Sequence, residues 1–465
     1  MQADAAHTIA QTAGLIARRQ ISPVELVEQC LAQAALWEAH IHSFITLEAE
    51  SAIAAAKRAE AEIMKNGARG PLHGIPLGIK DVVHVEDMGT TAASALRRSH
   101  VAKRDAAVVD KLKASGAVIL GKTNTHEFAY GGPSFDLPWP PARNPWDTSR
   151  FTGGSSSGNA AAIAAGVMPG GIGTDTSGSV RSPASLCGIA GLKPTYGLVS
   201  RRGCLPLAHS LDHVGPMART AQDCAILLDA IAGHDPRDPA SVFRPDGSFH
   251  QDGAALPKPL KIGVVRHFFE ADLPVSQDTL AALDGMLAVF MNLGAAVRDV
   301  RLSALQEWDA AGSVILLAEA YALHRKTLRE APEQYGASMR DRITMGAFIS
   351  AADYLDALCR RSTLCGELEQ AMADLDLLIS PTQYGEAPQM ERVEKWASFE
   401  IPSYCVLFNL TGYPAVSICA GFGPHGMPLG LQLVAKPFQE NLLLQAAHMY
   451  ERETGWHLRR PPLPA

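Results

Sequence analysis

The stretch AAVVDKLKASGAVILGKTN, residues 106 to 124, changes period in its middle. Its first half places apolar residues on one face of a helix. Gly116 then stops the helix, and Ala-Val-Ile-Leu runs on as a buried strand. A chain built from such units must pair its strands into a sheet and cover that sheet with its helices. The pattern recurs. LKIGVV, the helix DTLAALDGMLAVFMNLG and the strand AVRDV follow one another between residues 260 and 300. GIPLGIKDVVHV (74–85), DLLIS (376–380) and PAVSICAG (414–421) read as further strands, and NLLLQAAHMYERETG as a closing helix. Residues 5 to 65 read as helices, one of them opened by Ser22-Pro23 with Glu25 as a cap. Residues 314 to 375 are helical, and 131 to 150, rich in Pro, Trp and Asn, form a long loop. GNAAAIAAG is a helix whose small residues imply close packing.

These elements predict an α/β fold: one large domain with a central mixed, twisted sheet covered by helices on both faces. Within residues 1–465 we distinguish an N-terminal helical part (1–66), a catalytic core (67–230), a surface connector (231–259) and the remainder of the sheet with its helical cover (260–465). A net charge of -7 gives no compositional support for a nucleic-acid groove. The eight cysteines form no CxxC pair and suit a reduced, cytoplasmic protein. The N-terminus lacks the pattern of a signal peptide, and no apolar run reaches membrane-spanning length.

Two motifs mislead. GAVILGKT, residues 116 to 123, matches the P-loop pattern letter for letter. Its interior is a buried strand, whereas a P-loop needs exposed amides there, so Lys122 reads as an ordinary strand-end lysine. His126-Glu127 begins an HExxH pattern, but Tyr130 stands where the second histidine is needed. No metal or other cofactor is expected.

The chemistry concentrates in serines. GTDTSGS and TGGSSSGN each offer hydroxyls on glycine-rich backbone, and a serine nucleophile needs a base. His209 and His213 follow in HSLDHVGP without an order that singles either out. Lys80, inside the apolar run IPLGIKDVV, is either a strand-end surface lysine or a base whose pKa burial lowers. TGGSSSGN is either a helix cap or a turn that presents amides and hydroxyls.

Taken together, these segments resemble the amidase signature family, whose members hydrolyse carboxamides with a Ser-Ser-Lys triad. LHGIPLGIKD, ARNPWD, GGSSSGNAAAIAAG, GTDTSGSVRSPAS, GLKPTYGLVS, SLDHVGPMAR and FNLTGYPAVSICAGF look like family blocks in family order, across residues 20 to 450. The resemblance implies Ser179 as nucleophile, Ser155 as the bridging serine after a cis peptide from Gly154, and Lys80 as base. It implies an oxyanion hole of backbone amides from Thr176, Ser177, Gly178 and Ser179. Ser156, Asp175 and Arg181 would support the site, although Arg181 could instead bind an acidic substrate. Asp81 would either oppose neutralisation of Lys80 or point away. Two departures stand out: Ser177-Gly178 where the family more often has Gly-Gly, and GGSSSG for GGSSGG.

Phe128, Tyr130, Gly131, Gly132, Phe135, Trp139, Tyr384 and Tyr404 are the expected substrate pocket. The resulting expectation is an acyl-enzyme hydrolase of a small or aryl carboxamide, anilide or hydrazide. Its only partner would be a small-molecule amide-type substrate, with no nucleic acid and no membrane, and the enzyme would be a homodimer. The alternative is the glutamine-hydrolysing subunit of a tRNA-dependent amidotransferase, which needs a partner protein and an ammonia route. A silent scaffold is disfavoured because Lys80, Ser155 and Ser179 are all present.

Overall fold

The computed structural model describes residues 8–243, 247–250, 256 and 258–464. Among them, eleven strands form a single sheet. They are β1 (Phe44–Leu47), β2 (Pro76–Lys80), β3 (Val118–Thr123), β4 (Gly170–Asp175), β5 (Ala190–Lys193), β6 (His213–Ala218), β7 (Lys261–Val264), β8 (Ala296–Asp299), β9 (Leu377–Pro381), β10 (Ala415–Phe422) and β11 (Pro428–Ala435). Their order in space is β1-β3-β2-β4-β6-β5-β10-β11-β9-β7-β8. β2 runs parallel to β3 and β4, and β7 runs parallel to β8 and β9. The other pairs are antiparallel. The chain is thus one α/β domain with a large mixed sheet.

Successive strand residues face opposite sides, and β3 shows that both sides are covered. Ile119 joins one apolar cluster while Val118 and Leu120 join another. The helices Pro23–Ile41, Ser157–Ala164 and Arg181–Cys187 fill the second cluster with Val27, Trp37, Ala161 and Cys187. The helices Ala221–Ile231, Gln277–Asn292 and Glu440–Thr454 fill the first with Leu228, Leu287 and Tyr450. All eight residues of Ser157–Ala164 are buried, which is what their small side chains allow. At Pro23–Ile41, Ser22 Oγ accepts from the Glu25 amide at 3.1 Å and Glu25 Oε2 accepts from the Ser22 amide at 2.9 Å. This reciprocal cap explains the abrupt start.

The expectation of helices throughout residues 5 to 65 needs correcting. β1 interrupts them and pairs antiparallel with β3; residues 5 to 7 lie outside the described residues. Four residues between two long helices are too few to show a period of two. β4 is equally hard to read, because Gly-Gly-Ile-Gly-Thr-Asp carries one large apolar side chain. In the connector, residues 244 to 246, 251 to 255 and 257 lie outside the described residues. The described residues from 232 to 259 carry no helix or strand.

Lys122 is not an ordinary strand-end lysine. It is buried, and its Nζ donates to Asp81 Oδ1 at 2.8 Å, Gly89 O at 3.0 Å and Thr90 Oγ1 at 3.1 Å. Asp81 therefore points away from Lys80, and its Oδ2 accepts from the Thr91 amide at 2.9 Å. This ion pair ties the end of β2 to β3 inside the protein. Removing one partner leaves the other charge buried and unpaired, at about 3–5 kcal/mol. Lys122→Ala is expected to lower unfolding stability by that amount in urea titrations. A loss below about 1 kcal/mol would contradict the assigned role.

Candidate active site

Lys80 ends β2, an interior strand between β3 and β4, and is fully buried. Parallel pairing sets Ile79 opposite Ile172, which brings the ends of β2 and β4 together. Lys80 Nζ donates to Ser155 Oγ at 2.7 Å and to Thr174 Oγ1 at 2.9 Å. Burial pulls the lysine pKa down to about 7, against the opposing pull of Asp175 and Asp212.

Ser155 follows a cis Gly154–Ser155 peptide bond and lies just ahead of the helix Ser157–Ala164. The serines are not a helix cap, since Ser156 makes no side-chain cap. Instead Ser156 Oγ donates to Thr174 O at 3.2 Å, and the Ser156 amide donates to Ser179 O at 3.1 Å. Ser156 thus joins the end of β4 to the peptide of Ser179.

Asp175 shapes the loop between β4 and the helix Arg181–Cys187. Its Oδ1 accepts from the Gly178 amide at 2.8 Å and its Oδ2 from the Val180 amide at 3.1 Å. Arg181 Nη2 and Nε reach the same carboxylate at 3.0 and 3.1 Å. Burial pushes the Asp175 carboxyl up, but Arg181 and Asn409 override it and hold it well below the usual carboxylate range. Arg181 spends its remaining donors on Gln432 Oε1 at 2.9 Å and Asn409 Oδ1 at 2.7 Å. It is fully buried, so its place is structural rather than on the substrate. The expected oxyanion quartet also changes. The Gly178 amide is committed to Asp175, and Thr176 Oγ1 turns to Asp212 Oδ1 at 2.7 Å. Among the described residues, no acceptor faces the Thr176, Ser177 or Ser179 amides, so Gly178 alone leaves the quartet.

Ser155 and Ser179 open onto a cavity of about 510 Å³. Of the expected pocket residues, Tyr130, Gly131, Gly132 and Tyr384 line it; the other four do not. Phe128 turns its ring onto His324, with centroids 4.6 Å apart, and onto Tyr335. Phe135 is 60% exposed, and Trp139 is half-buried in the irregular loop. Tyr404 is buried, and its hydroxyl donates to Leu273 O. Aromatic content marked the right loop without telling which rings turn inward. Sequence reasoning missed Arg342 and Glu400 on the same wall; His126, Gln383 and Glu386 also line it, from the segments 125–147 and 380–389 that the sequence places around the pocket, without having been singled out. It also missed Asp309, in a side cavity of about 190 Å³ that shares Ser177 and Ser179. These residues come from distant segments, so no local spacing unites them. His209 and His213 line a different cavity, and His213 Nδ1 donates to Leu211 O at 2.7 Å.

A two-serine, one-lysine constellation on this mixed sheet defines a hydrolase of the Ser-cisSer-Lys type. The family model described as Amidase matches residues 25–444, and the chain belongs to that family. It is a hydrolase acting on amide C–N bonds. A glutamyl-tRNA(Gln) amidotransferase subunit of Chloroflexus aggregans is 38% identical over 99% of this chain and 97% of its own length. The corresponding subunit of Aromatoleum aromaticum is 40% identical over 96% of this chain and 97% of its own length. A solved structure described as a vestigial protein complex, revealing the origins of an s-triazine catabolic enzyme, superposes with a TM-score of 0.90. It is 32% identical, covering 99% of this chain and all of its own. Among the described residues, no helix is long and apolar enough to cross a membrane.

These likenesses correct two expectations. The relatives at 38% and 40% identity are named as glutamyl-tRNA(Gln) amidotransferase subunits, which overturns the expectation of a free-standing hydrolase of small or aryl amides and that of a homodimer with a small molecule as its only partner. The glycine that matters is Gly178, at φ +117, where a Cβ would lie 2.7 Å from Cys405 Cβ. Gly178→Ala is expected to cut amide hydrolysis at least tenfold in a folded protein. Wild-type turnover in that variant would contradict the packing described here.

Proposed function

We propose that this chain is the glutamine-hydrolysing subunit of a glutamyl-tRNA(Gln)-dependent amidotransferase, working in the cytoplasm and passing ammonia to a partner protein. The observation that carries this reading is the likeness to the amidotransferase subunits over nearly the whole of both chains. The net charge of -7 suits a division of labour in which the partner, rather than this chain, grips the tRNA phosphates.

In this reading Ser179 Oγ attacks the side-chain carboxamide carbon of glutamine. Its proton passes through Ser155 to neutral Lys80, and the Thr176, Ser177 and Ser179 amides steady the oxyanion. The C–N bond then breaks as the proton returns to the leaving nitrogen, which departs as ammonia. Water attacks the acyl-enzyme with the same relay as base, releasing glutamate and restoring Ser179. Arg342, only 5% exposed on the cavity wall, suits the α-carboxylate. Asp309 suits the α-ammonium: burial lifts its carboxyl to about 6, and an adjoining cation would keep it ionised.

The test is ammonia release from L-glutamine. Lys80→Ala, Ser155→Ala and Ser179→Ala should each lose on the order of 10³-fold or more in kcat. Their double mutants should lose little further, because the three groups act as one unit. His209→Ala should stay near wild type. Arg342→Ala should raise KM for glutamine at least tenfold with kcat nearly unchanged. Glutamine left intact while other primary amides are cleaved would refute the substrate.

The pH dependence has a fixed sign. Lys80 must shed its proton before it can take one, and its pKa is held near 7. Below that value kcat/KM should fall about tenfold per pH unit, with a plateau above. A profile flat from about pH 5 to 9 would exclude Lys80 as the base.

A further inference from the structure

We propose that His126 is a positioning residue whose imidazole, wedged between Gly132 and Gly154, holds Ser155 in line between Ser179 and Lys80. The inference rests on the Ser155–Lys80 relay and not on the identity of the amide.

The wedge is visible in what the two glycines lack. A Cβ on Gly154 would lie 2.1 Å from His126 Cε1 and 2.3 Å from its Nε2. A Cβ on Gly132 would lie 2.6 Å from His126 Cγ and 2.7 Å from its Cδ2. The ring therefore fills the space that two side chains would otherwise take, with one glycine before the bridging serine and the other on the substrate wall. Phe151 stacks on it at 5.8 Å with planes 19° apart. The His126 amide donates to Ser155 O at 3.2 Å. A single residue thus contacts the glycine before Ser155, the carbonyl of Ser155 and the loop that lines the cavity.

The imidazole is also neutral. Burial, then Lys80 and Arg342, push its pKa down to about 3. It excludes water near Lys80 without adding a charge, and removing it would hydrate the lysine and favour its protonated form. The groups that face Lys80 are Ser155, Thr174, Asp175, Asp212, Cys204 and His126; among them the imidazole is the uncharged ring that one substitution deletes.

A fluorophosphonate probe tests this without a substrate. Ser179 Oγ forms the P–O bond, the P–F bond breaks, fluoride leaves, and the serine proton passes through Ser155 to Lys80. His126→Ala should lower the maximal labelling rate at least tenfold with the probe's binding constant within threefold. Its acid limb should move to higher pH, and added imidazole should restore part of the rate. A folded His126→Ala labelled at the wild-type rate with an unmoved limb would overturn the proposal. So would an effect confined to probe binding. If the alanine variant does not fold, His126→Phe decides, because it keeps a planar ring between the glycines. A wild-type acid limb and a rate within tenfold support the wedge; a shifted limb with a larger loss overturns it. Ser179→Ala is the control: labelling that persists there would refute the triad reading itself, separately from the role of His126.

Discussion

The site depends on keeping one lysine dry. Placing an amine at the end of a buried interior strand costs desolvation energy, and the protein uses that cost to bring Lys80 near neutrality. Two hydroxyls, from Ser155 and Thr174, meet its Nζ without bringing a charge. An adjacent carboxylate would undo the effect, and Asp81 is kept away by its own buried partner, Lys122. The two lysines show the contrast: Lys122 bonds directly to a carboxylate, while Lys80 bonds to neutral oxygens alone.

The nucleophile loop follows a different rule. There the buried carboxylate of Asp175 is fully matched by Arg181, Asn409 and backbone amides. A satisfied network of this kind fixes a conformation more firmly than apolar packing would. It folds the chain from β4 into the helix Arg181–Cys187 so that Ser179 faces the cavity. The nearby loop is held from outside: Asn144 Nδ2 donates to Leu186 O at 2.8 Å and Trp146 Nε1 to Cys187 O at 2.9 Å. The ARNPWD block thereby acts as a strap on the catalytic helix.

Much of this was legible in the sequence. Helix and strand periods gave the α/β class, and Lys80, Ser155 and Ser179 stood out through the blocks that surround them. What stayed hidden depends on three-dimensional convergence. β1 and β4 carry too little apolar alternation to announce themselves. Arg342, Asp309 and Glu400 reach the cavities from segments far from the motifs. The aromatic loop advertised four rings, and only Tyr130 turns to the substrate wall, because Phe128 finds His324 and Tyr335 instead. The Gly178 amide, a committed donor rather than a free one, also required the side chain of Asp175 in place.

Catalysis in this site turns on the charge state of Lys80. Nuclear magnetic resonance of ¹³C,¹⁵N-lysine-labelled protein, with the Lys80 signal assigned by its loss in Lys80→Ala, would follow that amine directly through a pH titration. A midpoint close to 7, well separated from the other lysines, is the result expected from a desolvated amine bonded to neutral hydroxyls. A midpoint near the ordinary lysine value of about 10.4 would mean that Lys80 remains an ammonium at neutral pH, and the proton relay would have no base.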